Sequence, residues 1–143
     1  MGEQTAIIGE LGVSDNFDVE FEVRNRIDFL KRYLSGSGLQ FYVLGISGGV
    51  DSLTAGLLAQ RAVRELRDSQ NIQAEFVAVR LPYGVQADES DAQAALAAIR
   101  PDRIHTVDIR PAADAMLSAV VAGAPDIVDD RRLDFILGNV KAR

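Results

Sequence analysis

The residues best suited to chemistry stand in one unbroken stretch, Gly45-Ile46-Ser47-Gly48-Gly49-Val50-Asp51-Ser52. Adjacent glycines let the backbone turn tightly and approach an anion with no Cβ in the way. The Ser47 and Ser52 hydroxyls can donate to the same oxygens, and the first N–H groups of a following helix would point at a phosphate. Asp51 would repel a bare phosphate. A magnesium ion bridging its carboxylate and a pyrophosphate gives it a reason to be there. Two other phosphate motifs do not fit: no lysine lies near the loop, and no Gly-x-Gly-x-x-Gly follows a strand. The plainer alternative is a structural glycine turn capped by Asp51.

Such a loop needs a strand before it and a helix after it. Phe41-Tyr42-Val43-Leu44-Gly45-Ile46 is a continuous apolar run, as in a buried parallel strand. From Ser52 to about Asp68 the spacing is helical, with Leu53, Leu57, Leu58, Ala62 and Leu66 on one side. Upstream, Thr5 to Leu11 predicts a short helix, Ser14-Asp15-Asn16 is cap chemistry, and Val19 to Leu34 predicts a helix ended by Ser35-Gly36-Ser37-Gly38. Downstream, a strand over Phe76 to Val79 precedes an Ala-rich helix from Asp88 to Ile99. A strand over Ile104 to Ile109 then leads to a helix from Pro111 to Ala122 and a last helix over Asp129 to Arg143.

Strand–helix–strand alternation predicts an α/β fold, a Rossmann-like parallel sheet with right-handed crossovers and flanking helices. Three strands are few for a sheet covered on both faces, and nothing caps the last helix at Arg143. The expectation is a single truncated domain over residues 1–143, of which the chain is the first half.

The composition narrows the classes. The 143 residues carry 15 Lys+Arg against 21 Asp+Glu, a net charge of -6, which disfavours a nucleic-acid coat. No apolar run suits a membrane span, and Met1-Gly2-Glu3-Gln4 does not begin a secretory signal. There is no cysteine, so no disulfide, thiolate metal site or Cys nucleophile. A cytoplasmic location is expected.

Ser-Gly-Gly-x-Asp-Ser after an apolar strand resembles the signature of the N-type ATP pyrophosphatases, the PP-loop superfamily with the adenine nucleotide alpha hydrolase-like fold. Four blocks in order resemble bacterial ammonia-dependent NAD synthetase more narrowly. They are Arg26-Ile27-Asp28-Phe29-Leu30-Lys31-Arg32-Tyr33-Leu34, Val43 to Gly49, Val77 to Glu89 with Leu81-Pro82-Tyr83-Gly84-Val85-Gln86 at its centre, and Gly138-Asn139-Val140-Lys141-Ala142-Arg143. The resemblance covers only the N-terminal half of that family, and residues 117–132 diverge from its pattern.

The resemblance implies a ligase of NAD biosynthesis. ATP adenylates the nicotinate carboxylate of deamido-NAD, releasing pyrophosphate, and ammonia then displaces AMP. It implies ATP contacts at Gly45, Ile46, Ser47, Gly48, Gly49, Val50, Asp51, Ser52, Arg80 and Gln86, with magnesium on Asp51. It also implies deamido-NAD contacts at Arg143, Tyr33 and Phe135, the two aromatics lying near a homodimer interface. For Tyr33 and Phe135 a place in the core is an open alternative, as is a surface charge at a strand end for Arg80. Val79 fits an adenine pocket or plain core, and His105 a structural role. With no Cys, ammonia rather than glutamine is the expected nitrogen source. Little activity is expected of this chain alone. Two rival functions are another PP-loop enzyme, such as GMP synthetase, and a non-catalytic nucleotide-binding or dimerisation fragment.

Overall fold

A computed structural model describes residues 3–12, 17–84 and 89–123 of the chain. Eight elements follow one another in this part: α1 (Glu3–Leu11), α2 (Val19–Ser37), β1 (Phe41–Gly45), α3 (Val50–Gln70), β2 (Glu75–Arg80), α4 (Glu89–Ile99), β3 (Arg103–Thr106) and α5 (Arg110–Gly123). The strands form one parallel sheet in the order β1-β2-β3, with Phe41 opposite Glu75 and Val77 opposite Arg103. This is the expected α/β arrangement, with a helix connecting each strand to the next. The expected last helix and the Ser14–Asn16 cap lie outside the described residues. None of the described helices is long and apolar enough to cross a membrane.

β2 is the buried strand: Phe76 and Ala78 are fully covered, and Leu34, Ile46, Val63, Leu66, Leu96 and Ile99 close around them. The α3 face turned to this core is Gly56, Ala59, Gln60, Ala62, Val63 and Leu66. Leu57, expected in the core, is 44% exposed. It sits one residue past Gly56, roughly 100° round the helix from the buried stripe. At Gly56 a Cβ would meet the Ile99 side chain at 2.6 Å, so glycine lets α3 approach α4 closely.

The α2 cap and several boundaries differ from the sequence reading, and local contacts explain three of these differences. Asp18 caps α2 by accepting from the Phe21 N–H at 3.0 Å. The helix also runs through Ser35 and Gly36 to Ser37, because both serine hydroxyls bond back to carbonyls of the preceding turn. Gly38, at φ 71, is where it ends. β3 is shorter than expected. Val107 and Ile109 still donate to Arg80 and Pro82, but Pro82 has no N–H to return and the ladder stops.

α2 is tied to α3 at Glu65, whose carboxylate accepts Arg24 in bidentate fashion and Lys31 at 3.0 Å. Arg24 and then Lys31 hold its carboxyl at about 2, against the opposing effect of partial burial. On the far side of α2, Phe29 and Tyr33 stack with centroids 6.1 Å apart, 57% and 60% exposed. Among the described residues β1 has a neighbour on one side only. Phe41 and Val43 remain 45% and 65% exposed, where the sequence suggested a wholly buried strand. The apolar run is real, but the described residues cover one face and one edge of it.

Candidate nucleotide site

In a parallel sheet the loops leaving the strands gather at one end, and ligands bind there. Here that end holds Ile46 to Gly49 after β1, Leu81 to Gly84 after β2, and Val107 to Ile109 after β3. The junction of the β1 loop with α3 leaves the first helical donors uncapped. Gly48 takes φ 92, open to glycine at little strain, and Gly49 is the N-cap of α3 with no side chain capping it. Asp51 is therefore not a cap: it stands in the first turn of α3, exposed. No hydrogen bond or ion pair to another described residue engages its carboxylate.

The two serines are held together instead. Their hydroxyl oxygens lie 3.2 Å apart, Ser52 Oγ donates to the Gly49 carbonyl at 2.9 Å, and Ser47 Oγ accepts from the Gly49 N–H at 3.3 Å. The loop thus closes on itself around a small concave backbone turn at the positive end of a 21-residue helix. Gly48 also touches a second helix. A Cβ built there would lie 2.8 Å from the Ala92 amide nitrogen and 3.1 Å from Asp91 Cβ, so the first turn of α4 is a wall of the loop.

Arg80 ends β2 beside this loop, and it is no surface charge: it is 3% exposed. Nη1 donates to the Ile46 carbonyl at 2.6 Å and Nη2 to Glu89 Oε2 at 2.7 Å. Its Nε is buried without a partner among the described residues. Hydrogen bonds from Gln93 and then Arg80 hold the Glu89 carboxyl below the usual range. Neighbouring Val79 is half-buried, its carbonyl accepting from Ile46.

A second knot ties the loop after β2 to α5. Asp108 Oδ1 accepts from the Arg110 and Gly84 N–H groups, Tyr83 donates to Asp114, and the Arg110 guanidinium lies 5.8 Å over the Tyr83 ring. The sequence reading found neither Glu89 nor Asp108. Asp108 two residues before Arg110 is a local cap signal, whereas nothing local pairs Glu89 with Arg80.

Tyr33 is exposed on α2, which removes the alternative that it belongs to the core. His105 is exposed on β3, and no group of three potential metal ligands occurs among the described residues. Gln86, Phe135 and Arg143 lie outside the described residues.

The description NAD synthase applies to the family whose sequence pattern matches residues 22–143. That is most of the chain, and it includes the loop, Arg80 and Glu89. The chain belongs to the NAD synthase family. Within that family, the NH(3)-dependent NAD(+) synthetase of Burkholderia ambifaria is 56% identical over 140 residues, 98% of this chain and 49% of the relative. The enzyme of the same name from Paraburkholderia phytofirmans is 53% identical over 143 residues, 100% of this chain and 50% of the relative. The chain thus spans about half the length of these curated relatives. The crystal structure of NAD+ synthetase from Burkholderia pseudomallei superposes with a TM-score of 0.83 at 54% identity, covering 95% of this chain and 58% of that one. A Campylobacter jejuni NH3-dependent NAD synthetase, solved with a nitrate ion, matches at a TM-score of 0.61 and 25% identity, over 72% of this chain and 42% of that one.

Proposed function

We propose that this chain forms the ATP-holding part of an ammonia-dependent NAD synthetase. The observation that carries the reading is the Ser47–Ser52 turn, set between the uncapped start of α3 and the wall of α4 in a chain of the NAD synthase family. In the reaction, a carboxylate oxygen of deamido-NAD attacks the α-phosphorus of ATP and the bond to pyrophosphate breaks. Ammonia then attacks the acyl carbon, AMP leaves with the bonding pair, and a proton is lost. The protein's work is to bring two anionic nucleotides together and to stabilise charge on the departing pyrophosphate.

Gly45 to Gly49 and the first N–H groups of α3 cradle the phosphates, with the Ser47 and Ser52 hydroxyls as donors. Arg80 and Gln86 add contacts to ATP, and Tyr33, Phe135 and Arg143 serve deamido-NAD. Magnesium fits the donor set. One free carboxylate, Asp51, stands at the edge of the cradle, and this ion takes most of its remaining ligands from phosphate and water. Its chemistry there is neutralisation of pyrophosphate charge. A thermal-shift comparison tests the reading: ATP with magnesium and deamido-NAD each raise the melting temperature, and XMP does not. Selective stabilisation by XMP would point to GMP synthetase, and no response to ATP would end the proposal.

We also propose a homodimer working in the cytoplasm. The support is the pair Phe29 and Tyr33 exposed on α2, with Phe41 and Val43 exposed on β1, an edge strand among the described residues. Light scattering over a concentration series should give a dimer mass. A monomer that persists at high concentration would contradict it.

A further inference from the structure

We propose that Glu89 is an internal counter-ion that the ATP phosphates displace from Arg80, so that nucleotide binding here is an exchange of one anion for another. The proposal rests on the ATP site argued above and adds a residue to it. Its starting point is an imbalance in one ion pair. The Arg80 side chain is 4% exposed and its partner Glu89 is 47% exposed. A guanidinium that deep needs an anion, and Glu89 is the one carboxylate among the described residues that pairs with it. The arginine is also held from behind, by the Ile46 carbonyl at 2.6 Å, one residue before Ser47. It is therefore fixed beside the cradle, while the glutamate can turn out into water at little desolvation cost.

The vacated place suits a phosphate. Nη2 loses its acceptor when Glu89 leaves, and Nε already lacks one. A phosphate group offers several acceptor oxygens and more charge than a carboxylate, and planar guanidinium recognition of phosphate is strong. Gln93 steadies the closed pair by donating to Glu89 Oε1 at 2.6 Å. While Glu89 is in place Arg80 is unavailable, so the apparent affinity for nucleotide is reduced by the fraction of molecules in which the pair is open. Glu89 is thus a positioning residue acting through Arg80. It keeps a buried cation compensated in the empty site and yields it to the ligand.

Calorimetric titration of the 143-residue chain with magnesium and ATP, at fixed ionic strength, tests this. Glu89→Gln keeps an acceptor for Arg80 but removes the charge, and should tighten binding about fivefold. Gln93→Ala loosens Glu89 without changing charge and should tighten binding about twofold. Asp68→Asn removes the same charge near the far end of α3, away from the loop and from Arg80, and should change affinity by less than about twofold. A merely structural glutamate would weaken binding when replaced. Unchanged or weaker binding by Glu89→Gln overturns the proposal, and so does an equal gain in Asp68→Asn, which would mean general charge repulsion. If Glu89→Gln does not fold by circular dichroism, Gln93→Ala decides, with unchanged binding counting against displacement. Failure of the unaltered chain to bind would sink the ATP-site reading itself; normal binding with no gain in the variants sinks only the role of Glu89.

Discussion

Asp51→Asn is expected to weaken binding of magnesium and ATP by about 100-fold or more while leaving the helix it stands on intact. The carboxylate is exposed in the first turn of α3 and makes no contact that the fold depends on. Its removal loses only a weak favourable interaction with the helix N-terminus. What it does to ligand binding depends on the metal. With magnesium present, the amide cannot supply the anionic oxygen the ion needs, and polyphosphate charge goes uncompensated. With the metal chelated, the carboxylate only repels phosphate, so the variant should bind ATP at least as well as the unaltered chain. Calorimetry with and without chelator reads both signs. Near-equal affinity for magnesium with ATP in the two proteins would mean that Asp51 holds no metal.

Gly48→Ala should damage both the fold and the site. The residue takes φ 92, and a Cβ there would stand 2.8 Å from a backbone nitrogen of α4 and 3.0 Å from the neighbouring carbonyl carbon. Neither atom can move without shifting the helix. Backbone strain of about 1–2 kcal/mol and a steric cost of about 1–3 kcal/mol combine to roughly 2–5 kcal/mol. A melting temperature lower by about 10 °C or more is the expected result, with ATP binding lost. Gly49→Ala is the matched control. It sits at φ -72, and a Cβ there approaches only Ser47 Oγ, at 3.4 Å. It should fold normally. Equal melting temperatures for the two variants would show that the loop does not rest on α4 as described.

What could be read in the sequence was what neighbouring residues settle among themselves. The apolar run of β1, the Ser-Gly-Gly turn and the helical spacing after Ser52 are local patterns, and they place a turn between a strand and a helix where the structure has one. The same reasoning left the cap of α2 at Ser14–Asn16, because Asp18 and several earlier residues all have capping side chains. Leu57 looked as good a core residue as Leu53 because spacing alone leaves the buried face uncertain by about one position. Arg80 was harder still. Its burial depends on the Ile46 carbonyl, 34 residues away, and on Glu89, across a loop. Exposure of Phe41 and Val43 depends on what stands beside β1, which no property of the strand itself can reveal.

The order β1-β2-β3 also has a meaning in time. Each strand pairs with the next one in the chain, across a single helix, so the sheet can assemble while later residues are still on the ribosome. In relatives about twice as long, this segment is the N-terminal half. At translation rates of about 5–20 residues per second, a second half of similar length in those relatives takes roughly ten seconds or more to emerge. In the described sheet Phe41 and Val43 stand exposed on an edge strand. There β1 and β3 are both edge strands, so exposed apolar side chains stand on both flanks, Phe41 and Val43 on one and Ile104 on the other.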